Sequence, residues 1–226
     1  MFINYKTMKK LFGKIFMLAI TVMAASCSSE PVKVACVGDS ITYGHGIADR
    51  EHDAYPGALA ALLGEKYEVV NFGISGRTLT DTGDSPYMAE QIYRDALAFN
   101  PDVVTIKLGT NDSKPFNWGL GEARFKSDLK HLVNSFRELP SKPRIILCLP
   151  APAYRTNWEI SDSVIVAGVI PYIEQVASEE GLEIVDLRTP LLNHNEWFPD
   201  GIHPNEEGSM CIAKVLYGTI TGKEYK

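Results

Sequence analysis

Short apolar runs alternate with stretches of helical periodicity five times along this chain. Residues 32–37 are the first strand signal, and they run into Gly38-Asp39-Ser40 and a turn-like Ile41-Thr42-Tyr43-Gly44. Asp53 to Gly64 follows as a helix, with Pro56 in its first turns, apolar Ala58, Leu59, Ala61, Leu62 and Leu63, and a glycine stop. Tyr67 to Phe72 is the second strand, ended by Gly73-Ile74-Ser75-Gly76. From Tyr87 to Phe99, Met88, Ile92, Ala96 and Phe99 recur at helical spacing. Val103 to Leu108 is a third strand, emptying into Gly109-Thr110-Asn111-Asp112; a loop holding Lys114 to Trp118 and a helix from about Glu122 to Leu139 come next. Arg144 to Leu149 and Glu183 to Asp186 complete the strands, with a helix over Ser163 to Glu180 between them and a last helix from near Asn205.

Strands alternating with helices of this length build βαβ units, hence an α/β fold: a three-layer α/β/α sandwich around a five-stranded parallel sheet. The pattern alone leaves the strand order open. In the flavodoxin-like order 2-1-3-4-5, strand 1 lies between strands 2 and 3, so Gly73 and Asn111 would flank Ser40 at the switch point where such sheets bind ligands.

The first residues are a separate matter. Lys6, Lys9, Lys10 and Lys14 precede an apolar stretch from Ile15 to Ala25 that is shorter than a comfortable bilayer span, and Ala24-Ala25-Ser26 leads into Cys27. This reads as an export signal over 1–26. Small residues before a cysteine resemble a bacterial lipobox, which implies lipidation at Cys27, a tether over 27–31 and location in the cell envelope, with the membrane reached only through that anchor. Removing 1–26 takes away four lysines and no acid, leaving 18 basic side chains against 28 acidic ones. Nucleic acid is thereby excluded as a partner, since phosphate binding needs a basic face. Cys36, Cys148 and Cys211 are too few and too apolar in setting for a disulfide framework and read as buried small hydrophobes. The five histidines show no metal-ligand spacing, no nucleotide-binding loop is present, and no cofactor or metal is implied.

A serine just past a strand end is a nucleophile only if a base and oxyanion donors converge on it; otherwise it caps the next helix. Four blocks together change that balance: Gly38-Asp39-Ser40, the glycine of Asn71-Phe72-Gly73, Gly109-Thr110-Asn111-Asp112, and Asp200-Gly201-Ile202-His203-Pro204. In order and position they resemble the SGNH hydrolases, also called the GDSL esterase/lipase family, over essentially all of residues 32–226. The resemblance implies a catalytic triad of Ser40, His203 and Asp200, with an oxyanion hole from the N–H groups of Ser40 and Gly73 and the Asn111 amide. Asp186, at the end of the fifth strand, is a rival orienting acid. Asp39 and Asp112 would tie down loops.

Substrate choice would fall to the strand-end loops, which carry Tyr43, Arg77, Trp118, Tyr154 and Trp158. Arg77, Trp118 and Tyr154 are the candidate substrate-binding residues. The turns around Asn111 and Gly73 look most like carbohydrate or sialate O-acetylesterases, which implies a serine esterase removing short acyl groups from a glycan. A lysophospholipase or broad acyl hydrolase is the alternative, and a non-catalytic carbohydrate-binding lipoprotein the third.

Overall fold

The computed structural model describes residues 30–225; the expected export signal and the expected lipidation site at Cys27 lie outside them. Five strands, β1 (Val32–Gly38), β2 (Tyr67–Gly73), β3 (Val103–Lys107), β4 (Arg144–Leu149) and β5 (Glu183–Asp186), form one parallel sheet in the order β2-β1-β3-β4-β5. Among the described residues there are seven α-helices: α1 (Ser40–Tyr43), α2 (Tyr55–Leu63), α3 (Gln91–Ala98), α4 (Pro115–Arg137), α5 (Asp162–Val164), α6 (Ile170–Glu180) and α7 (Glu206–Thr221).

Alternation along the strands explains the layers. Ala35, Val37, Val104, Ile106, Ile145 and Leu147 face one side, where they meet Phe125, Leu129, Leu132 and Phe136 of α4 and Ile173 and Val176 of α6. Val34, Cys36, Val103, Ile146, Cys148 and Val185 face the other, packed on Tyr55 and Leu59 of α2 and Ile212 and Leu216 of α7. Both faces of a parallel sheet are thus buried, as the crossover helices require. Cys36 and Cys148 are core residues, and burial pushes the Cys36 thiol up to about 12; Cys211 is only partly covered.

Three helix expectations need correction. The expected loop around Phe116 to Trp118 is the start of α4, because Pro115 at the first helical position is preset for the helix and gives up only an N–H that would be orphaned anyway. Gly121, which weakens the helical pattern, is needed there: a Cβ would sit 2.8 Å from Thr80 Oγ1. Next, Tyr87–Phe99 breaks into a 3-10 turn over Tyr87–Ala89 and α3, with Glu90 extended between them. Finally, the expected Ser163–Glu180 helix contains a π turn over Ile165–Val169, ending two residues before Pro171, whose missing N–H would leave a gap in an unbroken α-helix.

Candidate active site

The chain leaves β1 at Gly38, and Asp39 immediately caps α1, its Oδ1 accepting from the Ile41 N–H. That carboxylate is fully buried and is held on both oxygens by Lys107 Nζ, each at 3.0 Å; the third ammonium proton goes to Thr110 Oγ1 at 2.8 Å. The end of β3 is thereby tied to the turn that carries Ser40. Gly44, in the left-handed region at φ +86, ends α1 after a single turn.

Ser40 meets the loop before α7. His203 Nε2 lies 2.8 Å from Ser40 Oγ, and His203 Nδ1 lies 2.7 Å from Asp200 Oδ2. The other Asp200 oxygen accepts from the backbone N–H groups of Ile202 and His203, each at 2.8 Å, so the same carboxylate shapes the loop and orients the ring. Gly201, at φ +84, supplies the bend between them. With Nδ1–H donating a hydrogen bond to the Asp200 carboxylate, Nε2 is left to accept from the serine hydroxyl, the arrangement a general base needs. Burial pulls the His203 pKa below its ordinary 6.5; Asp200 opposes the shift and His45 adds to it. Burial raises the Asp200 carboxyl, but the hydrogen bonds from His203 and Ile202 outweigh it and the net shift is downward. Asp186 does not reach the ring: its Oδ1 accepts from the N–H groups of Arg188 and Thr189.

A cavity of about 220 Å³ opens beside Ser40 and His203. Ser75, Gly76, Thr110 and Asn111 line one part of it, Ile160 and Ile202 another, and His45, Lys114 and Trp158 complete the wall. The Asn111 amide donates one proton to the Arg77 carbonyl at 3.1 Å, which fixes its orientation and leaves its second proton free. Asp112, behind it, accepts from the Leu79 and Thr80 N–H groups and from Thr80 Oγ1, stapling the β3 loop to the segment after β2. Burial pushes this carboxyl up to about 6.

Gly73 is not where the oxyanion assignment needs it. It is the last residue of β2, paired with Gly38, and its N–H donates to Asn71 Oδ1 at 2.9 Å. Its lack of a side chain serves packing instead: a Cβ there would come within 2.3 Å of the Tyr43 nitrogen. Gly76, three residues on and past the strand end, lines the cavity at φ +80, and its N–H enters no hydrogen bond among the described residues. The geometry therefore puts Ser40, Gly76 and Asn111 around the cavity as candidate oxyanion donors.

The three expected substrate residues also lie elsewhere. Arg77 spends its guanidinium on Glu90 and on the Ser75 carbonyl. Trp118 turns into the core against Phe125 and Tyr172, over Gly168. Tyr154 packs on Phe198 and donates its hydroxyl to the Leu191 carbonyl, buttressing the triad loop. Of the loop aromatics, Trp158 is the one in the cavity wall. His45, Asp200 and His203 could by type share a metal ion, lying within 4.8 Å of one another, but both His203 nitrogens are engaged inside the triad.

Comparison with known proteins agrees with this architecture. Residues 36–210 match the GDSL-like Lipase/Acylhydrolase family. The chain belongs to that family. It is 43% identical over 209 residues to an acetylxylan esterase of Xylanibacter ruminicola, a match that covers 84% of this chain but only 43% of that protein. The fold is shared with the aryl esterase of M. Smegmatis, with a TM-score of 0.70, 20% identity, and coverage of 84% of this chain and 99% of that one. Est24, a carbohydrate acetylesterase from Sinorhizobium meliloti, superimposes with a TM-score of 0.66 at 17% identity, again over 84% and 99% of the two chains.

For this family member, the direction of the His203 shift sets a pH dependence. Protonating Nε2 removes the lone pair that accepts the serine proton, so kcat/KM falls as pH drops through the His203 pKa. If this relay hydrolyses an acetate ester, the acid limb should have its midpoint below 6.5, with the rate levelling off by about pH 7. A pH–rate profile with its midpoint above 6.5 would contradict the buried setting of the ring.

Proposed function

We propose that this chain is a serine esterase that removes short acyl groups, chiefly acetyl, from a carbohydrate alcohol. The observation that carries the reading is the relay Ser40–His203–Asp200, with contacts of 2.8 and 2.7 Å, opening into a small cavity. Ser40 Oγ attacks the acetyl carbonyl carbon while its proton passes to His203 Nε2. The carbonyl oxygen, now an anion, turns toward the N–H groups of Ser40 and Gly76 and the free amide proton of Asn111. The imidazolium, steadied by Asp200, protonates the departing sugar oxygen; the same nitrogen then takes a proton from water as the water attacks the acyl-enzyme, and returns that proton to Ser40 Oγ as the Oγ–acyl bond breaks and acetate leaves.

Two observations favour a short acyl group on a sugar. The cavity, at about 220 Å³, is smaller than the roughly 300–1,000 Å³ of pockets that enclose drug-sized ligands, and Ile160 and Ile202 close part of its wall. The Xylanibacter ruminicola relative is called an acetylxylan esterase. The test is a series of p-nitrophenyl acetate, butyrate and octanoate, run beside acetylated xylan. Acetate should be turned over fastest and octanoate at least about tenfold more slowly, because one extra methylene in a closed pocket already changes rates by about 10–200-fold. Rates that climb with chain length would instead favour a lysophospholipase or broad acyl hydrolase. Glycan binding without turnover of any ester would favour a carbohydrate-binding lipoprotein.

The reading extends to location: an exported lipoprotein of the bacterial envelope, anchored by lipid on Cys27. The lysine-rich start, the apolar stretch to Ala25 and the small residues before Cys27 support it. The intact mass of protein extracted from membranes tests it, since an unmodified Cys27 or a different mature N-terminus would remove the anchor.

A further inference from the structure

Trp158 is unusual in three respects. Its side chain is 53% exposed although it helps line the cavity, so a large apolar face stands in water at the mouth of the site. Its backbone is left-handed, at φ 51 and ψ 29, and Glu159 after it also has positive φ, at 62. A bulky residue seldom takes that conformation, and such strain persists only where the surroundings enforce it. Finally, its ring lies 5.2 Å from the ring of His203 and 6.0 Å from that of His45, edge-on to each.

The enforcement is visible. The Asn157 amide donates to the Asp200 carbonyl, and the Tyr154 N–H donates to the Gly201 carbonyl at 2.7 Å. The Ser161 N–H reaches Ser113 Oγ at 3.1 Å, on the turn that follows Asn111. The loop bearing Trp158 is therefore fastened on one side to the loop of Asp200 and His203, and on the other to the Asn111 turn. Strain held by these ties keeps an apolar ring in solvent beside the imidazole that must protonate the leaving alcohol. Nothing in the acyl half of the reaction requires that ring.

We propose that Trp158, with His45 beside it, is an aromatic platform for the sugar ring of the leaving alcohol, and that the ring it takes is a neutral pyranose. This rests on the esterase reading above. Trp158 stands near the proton donor for the alcohol, where the leaving ring must sit, and an aromatic face gives large contact area at low entropy cost. Neutrality follows from charge. Apart from its histidines, Lys114 is the one charged residue lining the cavity, and its ammonium already pairs with Asp84 at 3.2 Å. Arg77, the other cation near Asn111, is paired with Glu90. Within the cavity lining itself, a sugar carboxylate would therefore be desolvated without an unpaired lysine or arginine to meet it.

The experiment compares wild type, Trp158→Ala and Trp158→Phe on three substrates: acetylated xylo-oligosaccharide, O-acetylated sialic acid, and ethyl acetate, which has no ring. The ratio of kcat/KM for the xylo-oligosaccharide to that for ethyl acetate should fall at least tenfold in Trp158→Ala, mainly through KM, and stay within about threefold of wild type in Trp158→Phe. Wild type should prefer the neutral sugar to the sialic ester by at least tenfold. Binding gives a second readout: unacetylated xylo-oligosaccharide should quench tryptophan fluorescence in Ser40→Ala and not in Ser40→Ala/Trp158→Ala. Equal losses on sugar and ethyl acetate would overturn the platform, as would an unchanged ratio. A preference for the sialic ester would overturn the neutral ring. Wild-type enzyme that turns over ethyl acetate but no acetylated sugar would sink the carbohydrate reading itself, an outcome distinct from a wild type that is active on sugar and indifferent to Trp158.

Discussion

Ser40→Ala should lower kcat/KM for an acetate ester by at least about 10⁴-fold, since members of such a relay act as a unit and the loss of the nucleophile leaves only binding and oxyanion stabilisation. Stability should hardly change. Ser40 makes one side-chain hydrogen bond, to His203, and lies in the cavity wall rather than the packed core, so the substitution removes no apolar contact of consequence. Asn111→Ala should do less damage, about 10²–10³ in kcat, the usual cost of one oxyanion donor. Kinetics on p-nitrophenyl acetate together with thermal unfolding of the same samples decide both. Residual activity within tenfold of wild type in Ser40→Ala would mean that another nucleophile carries the reaction.

The largest stability effect should come from Lys107→Met. The Lys107 ammonium and the Asp39 carboxylate are both wholly buried, and every ammonium proton has an acceptor. Removing the cation strands a buried carboxylate, which costs about 3–5 kcal/mol in comparable cases. Urea unfolding should show that loss, and Lys107→Met/Asp39→Asn should regain part of it, because the stranded charge is then gone. Activity should fall with the single change, since Asp39 also caps the turn bearing Ser40. A destabilisation below about 1 kcal/mol would mean that water or rearrangement satisfies Asp39, and the pair would then not organise the turn.

Which parts of this were legible in the sequence follows from how local each signal is. Asp200 and His203 are three residues apart and share one turn, so their partnership could be read directly, and Ser40 follows a strand whose apolar run is unmistakable. The sheet was legible for the same reason, since β1, β3 and β4 are uninterrupted buried runs. The glycine that lines the cavity was not. Gly73 and Gly76 both sit in one glycine-rich stretch, and choosing between them requires knowing that Gly73 still pairs with Gly38 inside the sheet while Gly76 lies beyond it. Trp118 failed for another reason: with Pro115 starting α4 early, helical geometry swings the indole inward, and no loop-based reading could anticipate that. Trp158, among the same aromatics, owes its exposure to ties reaching Asp200 and Ser113, contacts that span 43 and 48 residues and leave no mark on local sequence.

The proposed nucleophile and its base are separated by 163 positions, one just after the first strand and the other beyond the fifth. His203 reaches Ser40 from the loop that α7 closes, and α7 in turn packs against α2 near the start of the fold. A chain emerging from synthesis could therefore complete its first four strands and still hold only an inert alcohol at position 40. On the esterase reading, hydrolytic competence should arrive only once the loop before α7 is in place, which would make ester turnover an assay of complete folding.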